Sequence, residues 1–258
     1  MTALRVGVVG QVTRDTVTAR EGTVERLGGT PVYAARALRA AGAEPVMVVK
    51  GPPIDGATTL PSRSQAACSI DQTGGVTRQT VVAVGEPFTR AEMLASVVPA
   101  LAGCSWVLLG GQSAGDFAEW AVAVLAAAGM RVCVDAQGLA RGPDPGPVVL
   151  RRFSPAAVAG AAAVKLNRSE ADAQEVEPVD LQVQLGVDEL LVSDGPAGAT
   201  VVTAGWADSA AAGPLIYADP TGAGDSLTAL YLLGRTTGQP PRIALSGAVE
   251  LVDRLYAR

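Results

Sequence analysis

The sequence predicts an α/β fold in which a mostly parallel sheet, covered by helices on both faces, carries a small β lid. Three observations predict it. Short Val/Leu runs alternate with Ala-rich helical stretches along most of the 258 residues. Those runs are apolar from end to end, as strands buried on both faces must be. Two other segments break the rhythm with polar, strand-like patterns around Gly turns, which suits a separate sheet with one wet face.

Taken in order, LRVGVVG (Leu4 to Gly10) is the first buried strand. VTRDTVTAREGTVERLGG, from Val12 to Gly29, alternates Thr and Val around Arg-Glu-Gly and predicts a polar hairpin. VYAARALRAAG, from Val32 to Gly42, has helical spacing and ends on its glycine. PVMVVKG, from Pro45, is a strand followed only by GPPIDGA before the next polar segment. That segment, Thr58 to Pro87, reads as strands around a Gly74-Gly75 turn. A helix from about Arg90 to Leu101 leads to the strand SWVLLGG, and a helix through Asp116 to Ala128 follows. The strand RVCVDA ends at Asp135, and RGPDPGP (Arg141 to Pro147) is a loop. AAVKLN ends at Asn167, and ELLVSDG ends near Gly195. The expected organisation is a single domain over residues 1–258 with lid segments at about 12–29 and 58–87. Open α/β sheets bind ligands at the carboxyl ends of their strands, where a lid shuts out water.

Composition narrows the chemistry. Hydrophobic residues make up 48% and charged residues 17%, enough apolar material for a substantial core. A net charge of −5 argues against a nucleic-acid partner, which needs a basic face, and leaves a small molecule as the expected ligand. Histidine is absent, which removes Ser-His-Asp and Cys-His hydrolases, His-ligated zinc and any His general base. Neither lysine, Lys50 or Lys165, sits in a Gly-x4-Gly-Lys-Ser/Thr loop, so an ordinary P-loop NTPase is excluded. Cys68, Cys104 and Cys133 show no Cys-x2-Cys spacing and read as buried free thiols of a reducing compartment. The N-terminal apolar run is too short for a signal peptide, and WAVAVLAAAGM from Trp120 is about half the ~20 residues that span a bilayer. A cytoplasmic protein without a membrane partner is expected.

The sharpest signal is YADPTGAGDSLTALYLLGR, from Tyr217 to Arg235. Gly222 and Gly224 allow consecutive backbone N–H groups to face one concavity at a helix N-terminus, a setting that holds a phosphate. Asp225 falls in the first turn beside it, where a carboxylate can take a proton from an alcohol attacking a γ-phosphoryl group. Alone, a Gly-x-Gly-Asp start serves equally well as a helix cap. GVVGQVTRD, from Gly7, lacks the Gly-x-Gly-x-x-Gly spacing of a dinucleotide-binding dehydrogenase.

DPTGAGDS resembles the C-terminal signature of the ribokinase-like (PfkB) carbohydrate kinases. LGGTPVYAARALRAAGA, from Leu27, resembles the N-terminal Gly-Gly signature of that family. VKLNRSEADA matches its Asn-x-x-Glu motif at Asn167 and Glu170, and LLVSDGPAGATVV resembles the turn leading to its adenine site. Four matches in family order cover nearly the whole chain. The resemblance implies a ribokinase-like, Rossmann-like three-layer sandwich with a β lid, and an ATP- and Mg²⁺-dependent phosphotransferase acting on an alcohol. It implies Asp225 as the general base, with backbone N–H groups at Gly222, Ala223 and Gly224 as the anion hole. Asn167 and Glu170 would organise Mg²⁺ and its waters, although Asn-x-x-Glu is also a helix capping box. Ser193, Gly195, Gly198 and Thr221 would line the nucleotide pocket. Asp219 either supports a monovalent-cation loop, as in some resembling enzymes, or forms an Asp-Pro turn.

On the acceptor side the resemblance implies Asp15, Gly28 and Gly29 as substrate contacts. Val32 and Tyr33 stand where the family often has Asn, which points away from ordinary ribose or fructose-phosphate specificity and makes Tyr33 a substrate contact. Asp135 and Gln137 end a core strand at the ligand edge and are expected to touch substrate, while Arg78 is expected to face solvent. VDAQGLAR, VTRD and AVGEP look most like a subgroup that includes inositol-kinase-like proteins. With no Lys/Arg cluster for a second phosphate, the expected acceptor is an uncharged sugar, cyclitol or related polyol. A nucleoside kinase of the same fold and a catalytically silent sugar- or nucleotide-binding sensor are the alternatives. A homodimer through the lid is the assembly that the resemblance allows.

Overall fold

The computed structural model describes residues 3–74, 77–214 and 219–257. The chain opens with β1 (Arg5–Gln11), the hairpin β2 (Thr13–Ala19) and β3 (Gly22–Gly28), α1 (Thr30–Ala40) and β4 (Glu44–Lys50). Next come β5 (Ala57–Leu60), β6 (Ala67–Asp71) and β7 (Arg78–Ala83). α2 (Arg90–Glu92), a π turn (Met93–Val97) and α3 (Val98–Ala100) form one continuous helical segment. β8 (Trp106–Gly110), α4 (Trp120–Ala127), β9 (Arg131–Asp135), α5 (Gln137–Arg141) and β10 (Gly146–Pro147) follow. The rest comprises β11 (Ala163–Asn167), α6 (Arg168–Asp172), α7 (Pro178–Leu185), β12 (Glu189–Ser193), β13 (Ala199–Thr203), β14 (Trp206–Ala210), α8 (Ala223–Thr236) and α9 (Pro241–Tyr256).

Nine strands form one sheet in the order β14-β13-β12-β11-β9-β8-β1-β4-β5. Only the pairs β12/β13 and β13/β14 are antiparallel. Alternation along the strands divides the core in two, as a pleated sheet requires. Val9, Val107 and Leu109 pack on one face against Phe88, Met93, Val97 and Leu125. Val6, Val8, Trp106 and Leu108 pack on the other with Leu38 of α1, Leu230 of α8 and Leu245 of α9. The result is the three-layer α/β sandwich that the continuous apolar strands predict.

A second sheet, β10-β7-β6-β2-β3, accounts for the polar segments. Three expectations are corrected here. β5, which lies within the expected lid segment, pairs parallel to β4 and extends the large sheet instead. The absence of a helix after Lys50 makes this possible, because a parallel neighbour follows after only six intervening residues in GPPIDG. Residues 141–147 are not purely a loop, since Gly146 and Pro147 pair with Val81 and Thr80 at the lid's edge. The fourth helix starts at Trp120, not Asp116. The Asp116 carboxylate accepts from Gln112 N at 2.6 Å and Ser113 Oγ at 2.9 Å, so it ties a turn rather than joining a helix. Gly75 of the expected turn, and Tyr217 and Ala218 of the glycine motif, lie outside the described residues.

The three cysteines are free and buried. Among the described residues no helix is long and apolar enough to cross a membrane.

Candidate active site

Lid and large sheet enclose a cavity of about 550 Å³. Its walls are the ends of β11 and β12, the N-terminus of α8, and the inner face of β2, β6 and β7. The Gly-Ala-Gly-Asp run is its floor, because Gly222 caps α8 with φ 80° and turns the chain into the helix. That left-handed angle favours glycine, and the place of a Cβ there is filled by the Tyr33 ring, 2.1 Å from its Cγ. Two requirements, angle and close approach, therefore meet at one residue.

The N–H groups expected to form the anion hole are not equivalent. Ala223 lines the cavity, and its N–H donates to Pro220 O at 3.0 Å within the turn. Gly222 N and Gly224 N make no bond to protein among the described residues and remain for an anion.

Asp225 opens onto the cavity while protein surrounds the rest of it. Burial raises its pKa to about 6, and the nearby Asp135 charge adds to this. Lys165, the Thr30 hydrogen bond and Arg141 pull the other way. Thr30 Oγ, in the first turn of α1, donates to Asp225 Oδ1 at 2.6 Å. The carboxylate is thereby held in one orientation with a proton affinity near neutrality, the property a general base needs.

Beneath it lies a buried ion pair. Lys165 Nζ is 3.2 Å from Asp135 Oδ2, and both residues are 3% exposed. Burial depresses the lysine's pKa, but Asp135, Glu170 and Asp225 outweigh it and hold the ammonium charged. Its Nζ lies 2.9 Å from where a Cβ on Gly224 would sit, which places a cation against the glycine nest. Asp135 itself is not among the residues lining this cavity, and its Oδ2 accepts from Lys165 Nζ.

Asn167 and Glu170 form the capping box of α6. Glu170 N donates to Asn167 Oδ1 and Asn167 N to Glu170 Oε2, both at 2.8 Å. Asn167 lines the cavity, whereas Glu170 is 1% exposed and stands behind it. Burial raises the Glu170 pKa despite Lys165. Among the described residues no group of three or more acidic, Cys or His side chains is placed to hold a metal. This donor set fits Mg²⁺ held through water and ligand phosphates, not a closed protein site.

At one end of the cavity stand Asp15, Tyr33, Gln79, Gln112, Gln137 and Arg141. Gly29 also lines it, while Gly28 acts indirectly: a Cβ there would fall 1.8 Å from Asp15 Oδ2. Asp15 accepts from Thr13 Oγ1 at 2.6 Å, and burial raises its pKa against the pull of Thr13, Arg26 and Arg141. Arg78 begins β7 exposed, as expected. At the other end, Ser193, Gly195 and Gly198 meet the apolar Ala212, Val249 and Val252. Thr221 lines the middle and donates to Asp219 Oδ1 from Oγ1 at 2.5 Å and from N at 3.0 Å. Arg26 of the lid binds the other oxygen of Asp219. Burial opposes ionisation of Asp219, but Arg26 and Thr221 hold its pKa below the usual carboxylate range. A guanidinium thus already neutralises the carboxylate expected beside a monovalent cation.

Sequence reasoning missed Thr30, Lys165, Gln79, Gln112 and Arg141. Lys165 had a usable signal: it lies two residues before Asn167 on a strand and therefore shares its face. The two glutamines carried none.

No family model matches the chain, and no curated protein matches it. Solved structures do. A pyrophosphate-dependent kinase in the ribokinase family, complexed with a pyrophosphate analogue and myo-inositol, is 19% identical. It superposes with a TM-score of 0.84 over 97% of this chain and 94% of that one. Ribokinase from Arabidopsis thaliana, complexed with ribose and ATP, is 15% identical with a TM-score of 0.75 over 100% and 94%. A nucleoside kinase from Burkholderia thailandensis, in complex with inosine, is 16% identical with a TM-score of 0.74 over 98% and 91%. Likeness of this extent over whole chains establishes the ribokinase-like fold.

Proposed function

We propose that this chain, built on the ribokinase-like fold, is an ATP-dependent kinase. It transfers the γ-phosphoryl group to a hydroxyl of a sugar, cyclitol or related polyol. The observation that carries the reading is Asp225, oriented by Thr30 and raised to a pKa of about 6, beside two unpaired glycine N–H groups. A base and an anion hole share one wall of a cavity large enough for two ligands end to end.

The acceptor hydroxyl loses its proton to Asp225 as its oxygen bonds to the γ-phosphorus. The bond from phosphorus to the bridging oxygen breaks, and ADP leaves with that electron pair. Gly222 N–H, Gly224 N–H and the Lys165 ammonium face the charge that develops on the phosphoryl oxygens. Magnesium, when bound, neutralises phosphate charge, and Asn167 with Glu170 would hold its water shell.

ATP is favoured over pyrophosphate because the cavity continues past the nest into the slot of Ala212, Val249 and Val252. Pyrophosphate has no apolar part to place there, whereas an adenine does. The solved neighbours that carry inosine, ribose with ATP, and myo-inositol support the substrate classes to try.

The test is ADP release from Mg-ATP across sugars, cyclitols and nucleosides, with pyrophosphate as an alternative donor. Asp225→Asn is expected to bind ATP normally and to lose about 10²–10⁴-fold in turnover. Near-normal turnover in that variant would sink the mechanism. Tight ligand binding without any phosphoryl transfer would instead favour a sensor.

A further inference from the structure

Arg141 closes α5 and lines the lid-side end of the cavity. Its Nη1 donates to Gln112 Oε1 at 3.2 Å, and its Nη2 donates to Gln79 Oε1. The Cys68 thiol approaches the same Gln112 oxygen at 3.9 Å. A guanidinium has only donors, so an amide beside it must present its oxygen; turning it over would set N–H against N–H. The NH₂ groups of Gln79 and Gln112 are thereby fixed as the outward ends. Neither has a protein partner among the described residues, and both side chains line the cavity with Asp15.

Three separate elements build this corner. Gln79 comes from β7, Gln112 from the turn after β8, and Asp15 from β2. The set offers amide donors beside a carboxylate acceptor. A hydroxyl both donates and accepts, so neighbouring hydroxyls on one molecule satisfy such a set together. A phosphate is served less well: it would meet the Asp15 charge, and one N–H of each Arg141 Nη is already spent on a glutamine.

We infer that Arg141 is a positioning residue that locks Gln79 and Gln112 as paired donors, and that these with Asp15 select an uncharged polyol carrying adjacent hydroxyls. The inference rests on the kinase reading for the order of events, but the subsite is testable by binding alone.

The experiment uses Gln112→Glu in the full chain. A carboxylate pairs better with Arg141 than an amide does, so the unfolding temperature is expected to hold or rise. The same change removes the N–H donors facing the cavity. The acceptor KM, or the Kd for myo-inositol or D-ribose by calorimetry without ATP, is expected to rise about 10- to 100-fold. The KM for Mg-ATP is expected to stay within about twofold, since the change sits at the opposite end of the cavity. Arg141→Lys, which lacks the planar fork that fixes both amides, is expected to weaken the same ligands. An unmoved acceptor KM in Gln112→Glu, alongside normal ADP release, overturns the inference and leaves the kinase reading intact. Binding of a neutral polyol that Gln112→Glu abolishes, without ADP release from the parent chain, upholds the subsite and sinks the kinase reading. Failure of the parent chain to bind either polyol, or tighter binding of fructose 6-phosphate, overturns it as well.

Discussion

Thr30 Oγ donates to Asp225 Oδ1 at 2.6 Å, joining residues 195 positions apart. The bond ties the first turn of α1 to the first turn of α8, the two helix starts that flank the cavity floor. A hydroxyl donates more strongly to an ionised carboxylate than to the neutral acid, so Thr30 is one of the restraints keeping the base from being protonated outright.

Thr30→Val removes that restraint. The Asp225 pKa then rises further above about 6, and the acid limb of kcat/KM moves to higher pH. Activity at pH 8 is expected to change by less than about threefold, while activity at pH 6 falls about fivefold for a shift near one unit. A pH–rate profile on both proteins measures it. An acid limb left in place would remove Thr30 from the control of the base.

Asp225 imposes a cost on stability whose sign follows from its raised pKa. The folded protein holds this proton more tightly than the unfolded chain, whose value is near 3.8. Its contribution to stability is therefore lost as pH rises from about 4 through about 6. Asp225→Asn has no charge to bury and is expected to be more stable than the parent chain at pH 7, by on the order of 1–3 kcal/mol. The gap should close by about pH 4. Urea unfolding across that range tests it, and equal stability of the two proteins at pH 7 would refute the part-buried, destabilised carboxylate.

The Lys165–Asp135 pair predicts a different pattern. Lys165→Met leaves Asp135 charged, buried and alone, which costs about 3–5 kcal/mol. Adding Asp135→Leu is expected to restore most of that stability, since a packed apolar pair replaces the ions. Turnover should not return with it, because the ammonium against Gly224 is still missing. Recovery of turnover together with stability in the double variant would reduce Lys165 to a structural part.

Much of this was legible in order along the chain. Continuous apolar runs such as Val6–Val9 and Leu190–Val192 can only be strands buried on two faces, and they marked the central sheet. The run Gly222 to Asp225 announced a helix start that needs glycine, and the structure shows both the left-handed angle and the ring of Tyr33 packed against it. For Asp15 and Asn167 the family resemblance implied site roles, and both line the cavity. Two misplacements share one cause: β5 and the Gly146–Pro147 strand are settled by which backbone groups find partners in another strand, and such pairing leaves no local pattern. The turn at Asp116 is set instead by its carboxylate, which accepts from Gln112 N and Ser113 Oγ.

The amino-acid sequence by itself determined the layers of the fold and the glycine-rich helix start that holds Asp225, because periodicity and backbone angles are local properties. Only the tertiary structure decided what that carboxylate is. The Thr30 bond, the Lys165–Asp135 pair beneath the nest and the Arg141 grip on two glutamines each join residues far apart in the chain. Proton affinity and hydrogen-bond direction depend on what surrounds a group in space, and sequence spacing does not carry that information.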